Sequence, residues 1–412
     1  MGTTRQECAA LDEADGLADI RHRFALPEGV IYLDGNSLGP MPRHVPARIR
    51  HVVETEWSDG LVRSWNDAGW IDAPRRVGAR IARLIGASED EVTVADSTSV
   101  NLFKLLVAAA RLRPGRSVLL YARGDFPTDR YIVESAAEVL GLRAVCAGPD
   151  PDALIAALDE RVAVLALTHV DYRSGALKPM PRFTAAAHAA GALILWDLCH
   201  SAGVLDVGLD AAHADFAVGC GYKYLNGGPG APAFAYVASR HLGAVRQPLT
   251  GWLGHAEPFA FAHEFIAAPG IDRLQCGTPP MLSLLALESA LEAFDGVDLA
   301  AIRFKSRALG DVFIRLFGER LGAHGYALAS PRDGELRGSQ VSLAHPRGYA
   351  VIQALIARGI IGDFRPPDIL RFGLAPLYVR YTDVFDVVAA MDEIMARGEW
   401  NQPRFLSPKT VT

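Results

Sequence analysis

Lysine is scarce in this chain of 412 residues, and its scarcity limits where amine chemistry can take place. Only five of the 41 basic residues are lysines: Lys104, Lys178, Lys223, Lys305 and Lys409. The other basic residues are arginines, whose guanidinium groups stay protonated and do not serve as nucleophiles. Any reaction that needs a lysine amine must therefore use one of these five side chains.

Long apolar runs, basic runs and closely paired cysteines are also missing. No apolar stretch approaches the ~18 residues of a membrane span, so we expect no membrane insertion. The formal net charge is -6 and there is no long basic run, which disfavours nucleic acid as a partner. The five cysteines are widely spaced without a C-x-x-C pair, so neither a disulfide framework nor a metal site is expected. The polar, acidic N-terminus does not resemble a signal peptide, and we expect a cytoplasmic protein.

Short buried runs alternate with helical stretches through the middle of the chain. We predict strands at 162–167, 192–196, 216–220 and 231–237, and a helix at 181–190. This alternation is typical of an α/β fold with a mostly parallel central sheet flanked by helices, in which some strands can run antiparallel. Beyond it we predict helices at 282–294, 299–317, 350–358 and 384–395, a strand at 340–343, and a loose tail after Trp400.

Asp197 and Lys223 follow neighbouring predicted strands. Asp197 closes the run ALILWD, and Lys223 lies in the glycine-rich turn GCGYKYLNGG after the next apolar run. Ligands of open α/β sheets bind beyond the carboxyl ends of strands. Pyridoxal phosphate (PLP) needs a lysine amine for a Schiff base and a carboxylate beside its pyridine nitrogen. The pair therefore predicts a PLP site, although Asp197 as a turn cap and His200 as a packed histidine are ordinary alternatives.

The other lysines suit this role less well. Lys104 and Lys305 lie on amphipathic helical patterns, Lys178 precedes Pro179 in a loop, and Lys409 lies in the tail. None of the four follows a predicted strand within a glycine-rich turn. Lys223 is therefore the expected nucleophile.

Two further segments suit the cofactor's phosphate and ring. Thr98 and Ser99 stand at the start of a helical pattern, where hydroxyls and backbone N–H groups attract anions. Phe126 follows the predicted strand at 118–121, where an aromatic ring can stack on a ligand. Simple helix capping and a core phenylalanine are the alternatives. These segments therefore support a PLP site only in combination with Lys223.

Together these motifs resemble the kynureninase family. The agreeing stretches run in the family's order from about residue 31 to 381 and include GNSLG at 35–39, FPTD at 126–129, GWLGH at 251–255 and RFG at 371–373. Kynureninases are fold-type I, aspartate-aminotransferase-like PLP enzymes related to class V aminotransferases. The resemblance implies a large PLP-binding domain at 46–290, a smaller α+β domain at 291–412, and an N-terminal segment at 1–45 that joins the smaller domain.

The resemblance also implies a role for each site residue. Lys223, Tyr222 and Asp197 are the expected catalytic residues, with the cofactor bound as a Schiff base on Lys223. The cofactor would be held by Thr98, Ser99, Phe126, Asp129, Thr168, Asp197, His200 and Tyr222, together with Trp252 and Thr278 from the partner subunit of a homodimer with shared active sites. The substrate would be held by Arg371, which grips the α-carboxylate, and by Asn36, Trp65, Gly277 and Thr278.

The implied reaction is hydrolysis of the Cβ–Cγ bond of L-kynurenine to anthranilate and L-alanine, as in tryptophan catabolism. Trp65, Gly277 and Thr278 resemble the bacterial type that favours L-kynurenine over 3-hydroxykynurenine. The sequence leaves open the degree of that preference and the pathway served, whether catabolism, NAD biosynthesis or secondary metabolism. It also leaves open any assembly beyond a dimer.

Two alternatives share the predicted cofactor site. A cysteine desulfurase or class V aminotransferase would have the same fold, and a desulfurase needs a reactive cysteine on a mobile loop. Cys276 is the candidate, but it directly precedes Gly277 and Thr278, which match kynureninases. The second alternative is a PLP-binding protein without activity, against which the joint presence of Lys223, Asp197 and Arg371 argues.

Overall fold

The computed structural model describes residues 2–407, and the chain divides into two compact units. The smaller unit combines Met1–Arg43, Tyr172–Leu177 and Ala293–Thr412. The larger unit contains His44–Asp171 and Lys178–Glu292. Lys409 of the predicted tail lies outside the described residues.

The strands and helices are bounded as follows. The strands are β1 Ile31–Tyr32, β2 Val92–Val94, β3 Val118–Ala122, β4 Arg143–Ala147, β5 Val162–Thr168, β6 Leu193–Asp197, β7 Phe216–Cys220, β8 Ala233–Val237, β9 Ala327–Leu328, β10 Gln340–Ala344, β11 Ile360–Ile361, β12 Asp363–Arg365 and β13 Ile369–Gly373. The α-helices are α1 Arg5–Glu13, α2 Val45–His51, α3 Ser64–Asp67, α4 Ala73–Ile85, α5 Thr98–Arg111, α6 Pro127–Leu140, α7 Pro151–Ala156, α8 Met180–Ala189, α9 Ser239–Leu242, α10 Met281–Ala290, α11 Leu299–Arg320, α12 Gly348–Ala357, α13 Tyr381–Ala396 and α14 Pro403–Leu406.

The larger unit is built on a seven-stranded sheet in the order β2-β8-β7-β6-β5-β3-β4. Strands β3 to β7 are mutually parallel, whereas β8 runs antiparallel to both of its neighbours. Every residue of β5, β6 and β7 is buried, as expected for strands covered on both faces. The predicted α/β fold with a mostly parallel sheet is therefore confirmed.

Local sequence sets the ends of the elements around this sheet. Helix α5 begins after Ser97, whose hydroxyl accepts the N–H of Val100 at 3.4 Å. Helix α6 begins at Pro127, which has no N–H to leave unsatisfied, and it ends at Gly141 with a left-handed φ of 66°. Strand β8 begins at Ala233 rather than at the predicted residue 231, since Pro232 has no N–H to donate to a sheet.

The smaller unit contains an antiparallel sheet in the order β12-β13-β10-β9 and a parallel pair of β1 with β11. Helices α11 and α13 pack against each other. The predicted loose tail after Trp400 is wrong up to Ser407, because α14 packs on α12 and buries Phe405. Within residues 2–407, none of the helices combines the length and apolar character needed to cross a membrane.

Candidate active site

Three neighbouring parallel strands of the larger unit end together in polar residues. Thr168 closes β5 and pairs in register with Asp197, which closes β6. Asp197 in turn pairs with Val218, two residues before the end of β7. The turn that carries Lys223 starts directly after β7. The parallel register thus brings the two residues singled out from the sequence to the same edge of the sheet.

The turn after β7 is closed by backbone hydrogen bonds on either side of Lys223. The N–H of Asn226 donates to the Lys223 carbonyl at 2.9 Å, and the N–H of Gly227 donates to the Gly221 carbonyl at 2.9 Å. A Cβ on Gly221 would lie 2.5 Å from the Pro232 carbonyl, so this position requires glycine unless the backbone shifts. The tight turn fixes where the Lys223 side chain leaves the backbone.

Lys223 is half-buried among a histidine and two aromatic rings. Its Nζ lies 3.4 Å from Nε2 of His200. The same Nζ lies 6.0 Å from the ring centroid of Phe126 and 5.9 Å from that of Tyr222. The amine is therefore bordered by aromatic faces and by an imidazole, without a carboxylate at ion-pair distance in the described part of the chain.

Asp197 and Asp129 form a buried carboxyl pair. Oδ1 of Asp197 accepts the N–H of Cys199 at 2.7 Å. Burial, followed by the adjacent charge of Asp197, raises the pKa of Asp129 well above its usual range. Its Oδ2 atom is buried and has no hydrogen-bond partner in the structure.

Tyr222 lies immediately before the candidate nucleophile. Burial is the largest cause that raises the pKa of its phenol, and the nearby thiols of Cys220 and Cys199 add to it. Tyr222 is therefore a neutral phenol at physiological pH, which suits a group that donates a proton rather than one that stays ionised.

Thr98 and Ser99 are the first two residues of α5, as the sequence predicts. Oγ1 of Thr98 lies 3.7 Å from Sγ of Cys199, which follows β6. The start of α5 is therefore close to the end of β6 in the larger unit. The backbone N–H groups of this first turn lack partners within the helix, which makes it suitable for binding an anion.

Trp65, Trp252, Gly277 and Thr278 belong to other segments of the larger unit. The ring of Trp65 packs edge-on against Trp70 at 6.0 Å, and that of Trp252 packs against Phe259 at 5.6 Å. The N–H of Leu253 donates to the carbonyl of Cys276 at 3.2 Å, which joins the Trp252 segment to the one leading into Gly277. The assignment of these residues to a substrate or partner site stays a prediction.

Arg371 and Asn36 lie in the smaller unit. Nε of Arg371 donates to Oδ1 of Asp363 at 2.7 Å, and its Nη2 donates to Oδ2 of the same carboxylate. Its Nη1 donates to the Tyr172 carbonyl at 2.8 Å. Nδ2 of Asn36 donates to Oε1 of Gln340 at 3.2 Å. Asp363 is the residue that sequence reasoning missed, although it faces Arg371 across the β12–β13 pair.

A second missed contact holds the loop before α8. Nζ of Lys178 donates to Oδ1 of Asp125 at 2.9 Å and to the carbonyl of Thr168 at 3.0 Å. Lys178 thus links the residue before Phe126 to the end of β5. No local sequence pattern predicted this contact, because Asp125 and Thr168 lie 53 and 10 residues from Lys178 along the chain.

Solved structures of known proteins share the fold of this chain. The apo cysteine desulfurase from Thermococcus onnurineus superposes with a TM-score of 0.77 at 17% identity, covering 92% of this chain and 98% of that one. A C-DES variant with glycine linked to its PLP cofactor gives a TM-score of 0.78 at 16% identity, covering 90% and 99%. The fold is that of fold-type I PLP enzymes.

Sequence comparison specifies the family within this class. The kynureninase of Burkholderia mallei is 51% identical over 417 residues, covering 99% of this chain and all of that protein. The model of the kynureninase C-terminal domain matches residues 302–391. The chain belongs to the kynureninase family, and the resemblance predicted from its motifs is confirmed.

Proposed function

We propose that the protein is a PLP-dependent kynureninase, a hydrolase that cleaves the Cβ–Cγ bond of L-kynurenine to give anthranilate and L-alanine. The proposal rests above all on one observation. Lys223, Asp197 and Phe126 lie together at the carboxyl edge of the parallel sheet, in a chain 51% identical to a kynureninase. Lys223 is the proposed attachment point of the cofactor.

The residues at this edge suit PLP. The carboxyl group of Asp197 offers an acceptor to a protonated ring nitrogen, and the adjacent Asp129 adds a buried oxygen, Oδ2, that has no hydrogen-bond partner among the described residues. Phe126 offers a ring face, and the first turn of α5 offers N–H groups and hydroxyls to the phosphate. Thr168 and His200 complete the polar edge. When bound, the cofactor supplies an electron sink that stabilises negative charge developing at substrate carbon atoms.

Lys223 and Tyr222 are the proposed proton-transfer groups. Nζ of Lys223 would accept the proton from the substrate Cα. Water adds to the side-chain ketone, and the Cβ–Cγ bond breaks to release anthranilate. Tyr222, held neutral by burial, donates the proton that Cβ requires. The products together contain the atoms of the substrate and one water.

Substrate recognition is proposed for Arg371, Asn36, Trp65, Gly277 and Thr278. Arg371 binds the α-carboxylate through its guanidinium edge, and Asn36 supports this site. Trp65, Gly277 and Thr278 border the aromatic ring and favour L-kynurenine over the 3-hydroxylated substrate. Trp252 and Thr278 act in the active site of a second copy, so the functional form is a homodimer, and its proposed location is the cytoplasm.

The test is to load the purified protein with PLP, add L-kynurenine, and measure anthranilate and alanine together. We expect equimolar products, and none from the Lys223→Ala variant. Lys305→Met is the matched control. It also removes a lysine amine, but Lys305 is buried on α11 of the smaller unit. The control should keep turnover.

A different outcome would identify the alternative. A PLP absorbance band without either product, from L-kynurenine or 3-hydroxykynurenine, would overturn the kynureninase proposal and leave the fold unaffected. Cysteine desulfuration and transamination would then be assayed. Retained turnover in Lys223→Ala would overturn the assignment of the nucleophile.

A further inference from the structure

Lys104 is a buried cation at the side of the proposed phosphate site. It lies on α5, six residues after Thr98, and its side chain is 1% exposed. Burying an ammonium costs free energy that an apolar residue of similar size would avoid. A lysine at this position therefore needs an explanation in the contacts of its Nζ.

The first contact is with the residue that leads into α5. Nζ of Lys104 donates to Oδ2 of Asp96 at 2.8 Å. Asp96 has a φ of 49°, in the left-handed region that residues other than glycine rarely adopt. Such a conformation persists only where surrounding contacts hold it in place. The carbonyl of Asp96 accepts the N–H of Ala233 at 2.9 Å, so its backbone and side chain are both anchored.

The anchored turn determines where the first residues of α5 lie. Asp96 is followed by the capping residue Ser97, and then by Thr98 and Ser99. A change in the φ of Asp96 would move the Ser97 cap and the backbone N–H groups that follow it. The ion pair thus fixes the geometry of the turn without contacting a ligand itself.

The second contact reaches a distant segment. Nζ of Lys104 also donates to the carbonyl of Leu274. The next residue, Gln275, donates from Nε2 to Oγ1 of Thr93 at 2.7 Å and to the carbonyl of Val94 at 3.1 Å. The segment that continues to Gly277 and Thr278 is thereby held against β2, close to the start of α5.

We propose that Lys104 is a positioning residue for the cofactor phosphate, which holds the Asp96 turn and the Leu274 segment in the arrangement that Thr98 and Ser99 need. The inference rests on the proposed function. It predicts that loss of the ammonium weakens binding of the phosphate in particular, rather than binding of the pyridoxal ring.

The experiment compares PLP with pyridoxal, which lacks the phosphate. Apo protein is titrated with each compound, and Schiff-base absorbance gives two dissociation constants. In Lys104→Met the constant for PLP should rise about tenfold or more, a loss typical of removing a supporting group. The constant for pyridoxal should stay within about twofold, so that the selectivity for PLP collapses.

Lys305→Met is the matched control for burial and charge. Lys305 is a helical lysine whose side chain is 4% exposed and whose Nζ lies 2.6 Å from Oδ2 of Asp15. Both variants should lose thermal stability, but only Lys104→Met should lose selectivity for PLP. If both variants lose it equally, or neither does, the positioning role is overturned.

Asp96→Asn provides a second route if Lys104→Met does not fold. The amide keeps the size of the side chain but removes its charge, so selectivity for PLP should fall in the same direction. Unchanged selectivity would overturn the inference. Failure of the proposed function is distinguishable, because a wild-type protein that binds PLP without making anthranilate still yields both dissociation constants.

Discussion

Lys223 and Arg371 are both cations inside their respective units, but their charges are balanced differently. Nζ of Lys223 has an imidazole at 3.4 Å and aromatic rings nearby. Arg371 donates twice to the carboxylate of Asp363 and again to Ser37, at 3.1 Å, and to the Tyr172 carbonyl. A lysine amine can form a Schiff base, whereas the guanidinium of an arginine does not serve as a nucleophile.

The same contrast holds for the carboxyl groups beside them. Burial, followed by the charge of Asp197, raises the pKa of Asp129, and its Oδ2 has no hydrogen-bond partner among the described residues. In Asp363, by contrast, burial raises the pKa of the carboxyl, but Arg371, Arg365 and Ser37 together outweigh it and lower that pKa. Asp129 thus keeps an oxygen that a ligand can contact, whereas Asp363 is paired with arginines of the protein itself. The predictions below test this difference, from the largest expected effect to the smallest.

Asp197→Asn should cause the largest loss. The amide cannot balance a positive charge on the ring nitrogen of the cofactor, so the developing negative charge on the substrate would lose stabilisation. We expect kcat to fall on the order of 10²–10³-fold, the range seen when one electrostatic stabiliser is removed. Steady-state assays of anthranilate release measure this loss.

Asp129→Asn is the informative comparison, because the raised pKa of Asp129 favours the protonated carboxyl group, which asparagine resembles. Its kcat should fall much less than that of Asp197→Asn. A loss as large as that of Asp197→Asn would contradict the raised pKa of Asp129.

Arg371→Lys should raise KM more than it lowers kcat. Lysine keeps the charge but cannot reproduce the planar fork that contacts Asp363 and a substrate carboxylate together. Loss of one charged hydrogen bond, about 1.5–3 kcal/mol, corresponds to roughly a 10–100-fold rise in KM. Arg365→Lys is the matched control, since Arg365 also lies 2.8 Å from Asp363 but has a side chain that is 35% exposed. An equal rise in KM for the control would remove the special role of Arg371.

Asp34→Asn should change the pH dependence of stability. Burial, followed by the charge of Asp363, raises the pKa of Asp34 from 3.8 to about 7. The folded chain therefore holds a proton that the unfolded chain releases, so wild-type stability falls as pH rises from about 4 to about 7. The variant lacks this titration and should be more stable than wild type by about 4 kcal/mol at pH 8 and by about 2 kcal/mol at pH 5, because each unit of the raised pKa corresponds to about 1.4 kcal/mol.

Urea unfolding at the two pH values measures the gain. Asp368→Asn is the control, because the side chain of Asp368 is exposed and belongs to the same unit. Its effect should be small and the same at both pH values. A gain for Asp34→Asn that does not depend on pH would show that its proton is not involved.

The sequence predicted well the elements that are set by local pattern. Strand β7 matches its predicted bounds at 216–220, and β6 differs by one residue at each end, because buried runs of apolar residues between helices mark strands directly. The parallel order of such strands then brings Asp197 and Lys223 to one edge. This part of the site needed no knowledge of distant contacts.

Contacts between distant segments could not be predicted in this way. The helical pattern around Lys104 indicated an amphipathic helix, but its partner Leu274 lies 170 residues away. Asp363 faces Arg371 only because β12 and β13 pair in one particular register, which depends on the turn between them. Side-chain burial and ion pairing arise from tertiary packing, and periodicity carries no information about them.

The scarcity of lysine has a consequence for a protein proposed to hold an aldehyde. Aldehydes condense with any accessible neutral amine, and stray adducts would compete with the intended one. The side chains of Lys104, Lys178 and Lys305 are 1%, 14% and 4% exposed, and each forms an ion pair with an aspartate. Arginine elsewhere supplies positive charge without such an amine. Among the described lysines, Lys223 is thus the amine that an aldehyde can reach without first breaking an ion pair. The use of arginine in place of lysine therefore helps to direct the cofactor to one attachment point.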